Sequence, residues 1–119
     1  MATILIVDDE APIVELLVDI IAEEGHTVLQ AQNGMEGLTL ARANQPDLII
    51  SDVMMPILDG YALLRELRSS PETAHTQIVL MSAAFTNGIN LNTNGIVADG
   101  YLRKPFDLAA IERLLDDLN

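Results

Sequence analysis

Ile4-Leu5-Ile6-Val7-Asp8-Asp9 is a run of four aliphatic residues that stops abruptly on two carboxylates. A short apolar run with no polar position inside it suits a strand buried on both faces, as in a parallel sheet. Three further runs have the same form. Leu48-Ile49-Ile50-Ser51 ends in Asp52, Gln77-Ile78-Val79-Leu80-Met81 ends in Ser82, and the run at Tyr101-Leu102 ends in Lys104-Pro105. In an open parallel sheet, ligands bind outside the carboxyl ends of the strands, where the chain order reverses. One sheet can therefore gather three carboxylates, a hydroxyl and an ammonium in a single crevice. That set suits a metal-assisted transfer of phosphate.

Outward from these runs, strand and helix alternate. Strands are expected at 3–7, Thr27 to Ala31, 47–51, 77–81 and about 99–102. After Pro12, which suits a first helical turn, Ile13, Leu16, Leu17, Ile20 and Ile21 form one apolar stripe, and Gly25 stops that helix. A second, weaker helix runs through Met35, Leu38 and Ala41 until Pro46 forbids continuation. A third carries Leu63, Leu64 and Leu67 and ends near Ser70-Pro71. The last begins at Asp107 and aligns Leu108, Ile111, Leu115 and Leu118. Such alternation implies a doubly wound parallel sheet covered on both faces. The second strand ends in Ala31-Gln32-Asn33-Gly34, with no ionisable group. An order of 2-1-3-4-5 puts that strand at the edge and the four functional ends side by side.

With 119 residues the chain is expected to form one domain. Half the residues are apolar but only 3% are aromatic, so the core is aliphatic. Six basic residues against eighteen acidic ones give a formal charge of −12, which disfavours nucleic acid and anionic membranes as partners. The absence of cysteine excludes disulfides and thiolate zinc sites. No stretch resembles a signal peptide or approaches the ~20 apolar residues of a membrane span. A cytoplasmic protein is expected.

Asp8, Asp9 and Asp52, brought together, would raise one another's pKa values. A hard divalent cation relieves this, and carboxylates with phosphate oxygens and water describe a magnesium site. Taken alone, Asp8-Asp9 reads as a solvated turn or a helix cap; Asp52 at the end of another buried strand turns the reading toward a metal site. Phosphoryl transfer asks mainly for positioning and charge neutralisation, and a carboxylate in line with a held phosphate can itself be the nucleophile. Lys104 offers a point charge and Ser82 a hydroxyl. Separately, each also reads as an ordinary surface or turn residue.

Together, Asp8-Asp9, Asp52-Val53-Met54-Met55-Pro56, Ser82-Ala83 and Lys104-Pro105-Phe106 resemble the receiver domain of bacterial two-component response regulators, over essentially the whole chain. The resemblance implies a flavodoxin-like fold and a single receiver domain across 1–119 with no effector domain. It implies that Asp52 accepts phosphate from a histidine kinase or histidine phosphotransfer protein. Asp8, Asp9, Asp52 and the backbone carbonyl of Met54 would hold Mg2+, Lys104 would contact the phosphoryl group, and Ser82 would move toward it. Tyr101 fits the family's switch aromatic, and Lys104-Pro105 matches a bond that is cis in the family. Met54 and Ala84 lie where the family tunes hydrolysis, and neither side chain can orient a water. His26 and His75 are expected to be structural or solvated. The chain would be a monomer or weak dimer whose output is binding of an unknown protein target. The face concerned is built from the helix between Ser82 and Tyr101, the fifth strand and the last helix.

One segment departs from the family. Asn87, Gly88, Asn90, Asn92, Asn94 and Gly95 crowd the region of that fourth helix, at a cost of roughly 4 kcal/mol in helix propensity. A short or irregular helix is expected, giving a mobile output face. Two other readings stand beside the receiver. A magnesium phosphohydrolase would need a second acid or base and a cap, for which Val53, Met54 and the short loops offer nothing. A receiver-like docking module that is never phosphorylated would need neither the acidic pair nor the lysine.

Overall fold

The computed structural model describes residues 2–82, 98–104 and 106–116. The helix expected across 86–96, Ala84, the Lys104–Pro105 bond and Leu118 lie outside the described residues. Among the described residues the chain forms β1 (Thr3–Val7), α1 (Ala11–Glu23), β2 (Thr27–Ala31), α2 (Gly34–Asn44) and β3 (Leu48–Asp52). These are followed by α3 (Gly60–Arg68), β4 (Gln77–Ser82), β5 (Gly100–Arg103) and α4 (Leu108–Asp116). No helix among them is long and apolar enough to cross a membrane.

The strands make one parallel sheet in the order β2-β1-β3-β4-β5, as the strand ends implied. Its interior strands are buried on both faces, and alternate residues point to opposite sides. Leu5, Val7, Ile49, Ile78 and Leu80 pack with Leu38, Leu63, Leu64 and Leu67 from α2 and α3. Ile4, Ile6, Ile50, Val79 and Met81 pack with Leu17, Ile21, Ile111 and Leu115 from α1 and α4. Most of these side chains are completely buried, each worth about 1.5–3 kcal/mol over its exposed state.

Local signals place the helices. Pro12 lies in the first turn of α1, and Gly25 follows its end with φ of +90°. Asn33 caps α2 by accepting from the Glu36 amide, and Asp59 caps α3 by accepting from the Ala62 amide. Asp107 accepts from the Ala110 amide at the start of α4. These are the short polar side chains that satisfy first-turn amides.

Three details differ from the sequence reading. The core-facing line of α1 is Val14, Leu17 and Ile21, and Leu16 is half-exposed. A stripe of five positions is broader than the strip one helix can press on a sheet, so its edge faces outward. Leu108 is likewise half-exposed, at the first turn of α4. The third strand runs from Leu48 to Asp52, one residue later at each end than expected. Just before it, the Asp47 side chain accepts from the Thr3 amide and the Asp47 amide donates to the Thr3 carbonyl.

Candidate functional site

Parallel pairing brings the carboxyl ends of β1, β3, β4 and β5 together. Val7 lies opposite Ser51, Asp52 opposite Met81, and Ser82 opposite Arg103. Asp8 thus leaves β1 beside Asp52, while Ser82 closes the β4–β5 pairing and Lys104 stands one residue past it. The Asp8 amide donates to Ala31 at 3.1 Å, and the Lys104 amide donates to the Ser82 carbonyl at 3.0 Å. These bonds continue the ladder and fix the direction in which the side chains emerge.

The loop after β3 is held down by close backbone approach. A Cβ on Gly60 would overlap the Asp52 carbonyl oxygen, and one on Gly34 would overlap the Leu58 carbonyl oxygen. Only glycine permits α3 to start against the end of β3 in this way. The Gly60 amide donates to the Val53 carbonyl at 2.9 Å, fastening the contact.

At the centre stands Lys104. Its Nζ lies 3.2 Å from Asp8 Oδ2, 3.2 Å from Glu10 Oε1 and 3.4 Å from Asp52 Oδ2. Asp8 and Asp52 are almost fully buried, whereas Glu10 is exposed at the rim. Oxygens of Asp8, Glu10 and Asp52 all lie within 4.8 Å of one another. Burial pushes the Asp8 carboxyl above its ordinary pKa, against the Glu10 amide and Lys104, which pull it down. Burial also raises Asp52, and the charge of Asp8 adds to the effect. Burial alone would lower Lys104, but Asp8, Asp52 and Glu10 together hold it above its ordinary value. The lysine gains from the contact more than it loses; the two buried carboxylates do not. One ammonium is too little charge for three carboxylates.

Such a group fits a hard divalent cation, which would supply the missing positive charge through oxygen ligands. Asp8 and Asp52 are placed for it. Asp9, expected alongside them, is exposed and lies outside the group of mutually close oxygens. Glu10 takes the third place in that group and was missed from the sequence. It reads there as one more acidic residue at a helix start, and its partner lies 94 residues away. Met54 is 74% exposed.

The switch candidates fall nearby. Ser82 is buried at the end of β4. Tyr101 is half-buried opposite Leu80 and packs on the core face shared by α2 and α3. Tyr61, at the start of α3, belongs to the same cluster. Burial, then Tyr101 and Asp59, raise its hydroxyl pKa. His26 serves structurally, its Nδ1 accepting from the Ala2 amide at 3.0 Å. A cleft of about 130 Å³ opens beside Asp8 and Asp9 toward Gln30 and Gln32, but neither Asp52 nor Lys104 lines it.

Known proteins resemble this chain in sequence and fold. The family model for the response regulator receiver domain matches residues 4–116. Protein PilH of Pseudomonas aeruginosa is 34% identical over 119 residues, covering all of this chain and 96% of that protein. Other curated relatives are longer: the chain spans 49% of the DNA-binding regulator RpaA of Synechocystis and 23% of PleD of Caulobacter vibrioides. Among solved structures, chemotaxis response regulator CheY4 of Vibrio cholerae superposes with a TM-score of 0.91 at 28% identity, covering 100% of this chain and 99% of that one. The receiver domain of sensor histidine kinase PA1611 from P. aeruginosa, solved with magnesium in its active-site cleft, superposes at 0.89 with 26% identity, over 98% and 96% of the two chains. The CheY-like sheet, the acidic pocket with its lysine and a family match over nearly the whole chain agree: this protein belongs to the response regulator receiver domains, which are signalling modules rather than classical enzymes.

Proposed function

We propose that the chain is a phosphorylation-activated switch whose phosphoryl acceptor is Asp52. The observation that carries this reading is the position of Asp52. It is a nearly buried carboxylate at the end of a central strand, with Lys104 Nζ at 3.4 Å and Asp8 raising its pKa. An Asp52 oxygen attacks the phosphorus of a phosphohistidine. The O–P bond forms as the N–P bond breaks, and the bonding pair returns to the imidazole. Lys104 neutralises oxygens of the transferred group as a point charge.

Asp8, Asp9, Asp52 and the Met54 carbonyl would hold Mg2+, directly or through water. When bound, the ion neutralises charge on the phosphoryl oxygens. Ser82 would then turn its hydroxyl toward the new phosphoryl group, and Tyr101 would move inward behind it. The donor is a histidine kinase or histidine phosphotransfer protein in the cytoplasm. The receiver acts by presenting a changed face to a protein target. That face comprises the segment after β4, together with β5 and α4.

Intact mass after incubation with phosphoramidate and magnesium tests this directly. One phosphate adduct is expected on the wild type and none on Asp52→Asn. An adduct that persists in the variant would move the acceptor elsewhere. No adduct on a folded wild type would favour a docking module without phosphate chemistry.

A further inference from the structure

Glu10 has an unusual place among the four charged groups. It is the N-cap of α1, a position where short side chains are favoured because they accept from first-turn amides. Its side chain makes no such bond. The helix start is built from its backbone instead: the carbonyl accepts from the Ile13 and Val14 amides, and the amide donates to Asp8 Oδ1 at 2.9 Å. The carboxylate is left to reach Lys104, at 3.2 Å, with 57% of the side chain in solvent. Asp8 and Asp52 hold the same ammonium from inside, while Glu10 holds it from the mouth.

An incoming phosphoryl group has to take that ammonium for its own oxygens. Glu10 competes for it, and its own charge faces the solvent from which the donor arrives. The second effect scales with the net negative charge on the donor. We propose that Glu10 is a specificity-determining residue of the transfer, disfavouring small, highly charged acyl phosphates relative to less charged N-phosphoryl donors. The inference rests on Asp52 being the acceptor. In either reaction an Asp52 oxygen bonds to phosphorus as the donor's bond breaks. The pair leaves with acetate from acetyl phosphate, or with ammonia, whose nitrogen is already protonated, from phosphoramidate.

The test compares the two donors on wild type and Glu10→Gln, at low ionic strength and equal free magnesium. Magnesium affinity is measured separately by calorimetry without donor. E10Q is expected to raise kcat/KM for acetyl phosphate about three- to tenfold, the effect of one charge at several ångströms through a largely aqueous dielectric. Phosphoramidate should gain less, and added salt should close the gap. In metal-free protein, a denaturation double-mutant cycle of E10Q with Lys104→Met should show coupling between the two side chains. An equal change for both donors, or no change, would overturn the inference while leaving Asp52 as acceptor. A loss of magnesium affinity of about tenfold or more would also overturn it, making Glu10 a metal ligand. Failure of the wild type to take phosphate from either donor would sink the acceptor reading itself, and this inference with it.

Discussion

The two ends of the sheet use the same ingredients to opposite effect. At the amino end of β4 and β5, Arg68 donates to Asp99 Oδ2 at 2.6 Å, to the Thr76 carbonyl at 2.6 Å and to the Ala74 carbonyl at 3.2 Å. Asp99 accepts in addition from the Ile78 amide at 2.8 Å. One cation meets one carboxylate, and two backbone carbonyls share the same guanidinium. At the carboxyl end, one lysine is shared among three carboxylates, two of them buried and pushed toward protonation. The first arrangement fastens α3 and the loop after it to the sheet. The second leaves a deficit of positive charge that a cation and a phosphoryl group can use. A site that is to bind cannot also be satisfied when empty.

Substitutions at the two ends should therefore have opposite signs. The largest effect is expected at the clamp. Arg68→Met should lower stability by about 2 kcal/mol, since it strips three acceptors of a charged donor. Denaturant unfolding measures this, and an unchanged midpoint would show that the clamp is idle. Asp52→Asn should do the reverse in magnesium-free buffer, raising stability by about 1 kcal/mol, because it removes one of two buried like charges. A drop in stability would mean that the lysine already satisfies the cluster.

The pH dependence follows from the same groups. Asp8 and Asp52 are raised in the fold, so their relative stabilisation is fully present below the ordinary carboxyl value of 3.8. It is lost as pH rises through their folded values. Lys104 is also raised, so its contribution persists through neutral pH and is lost only on passing above its ordinary 10.5. Metal-free wild type should accordingly lose part of its stability as pH rises above the ordinary carboxyl value of 3.8, and Asp52→Asn should lose less. Urea titrations across that range would show it; parallel curves for the two proteins would contradict it.

The smallest effect concerns strain at the site end. Ile57 has φ of +72° with its side chain 77% exposed. A β-branched residue pays sterically for that conformation without burying anything in return. Ile57→Gly should raise stability by about 0.5 kcal/mol, the steric relief being partly offset by the greater freedom of glycine in the unfolded chain. A lower melting temperature in the variant would show that the isoleucine makes a contact worth more than the strain.

Much of this was readable before the fold was known. Buried parallel strands announce themselves as uninterrupted aliphatic runs, so Asp8, Asp52, Ser82 and Lys104, which stand where those runs stop, could be placed together at one end of the sheet from position alone. The neutral end of β2 even marked the edge of the sheet. What periodicity does not encode is the direction of a long side chain. Glu10 and Asp9 are indistinguishable as consecutive acidic residues, yet the turn into α1 sends Glu10 to the lysine and leaves Asp9 in solvent. The clamp was equally silent. Arg68 ends a helix and Asp99 precedes a strand, ordinary places for charged residues, and only the crossover brings them to 2.6 Å. Leu16 belonged to a convincing stripe, but packing against one sheet uses less of a helix than the stripe supplied.

The charge deficit at the carboxyl end is best tested by unfolding the wild type in denaturant with and without magnesium. At neutral pH, magnesium at ten times its dissociation constant should add about 1.4 kcal/mol. The gain should shrink as the pH is lowered toward 3.8, where protons take the place of the ion. A midpoint that magnesium leaves unmoved at neutral pH would mean that Lys104 alone satisfies Asp8, Glu10 and Asp52, and that the two ends of the sheet do not differ in the way described.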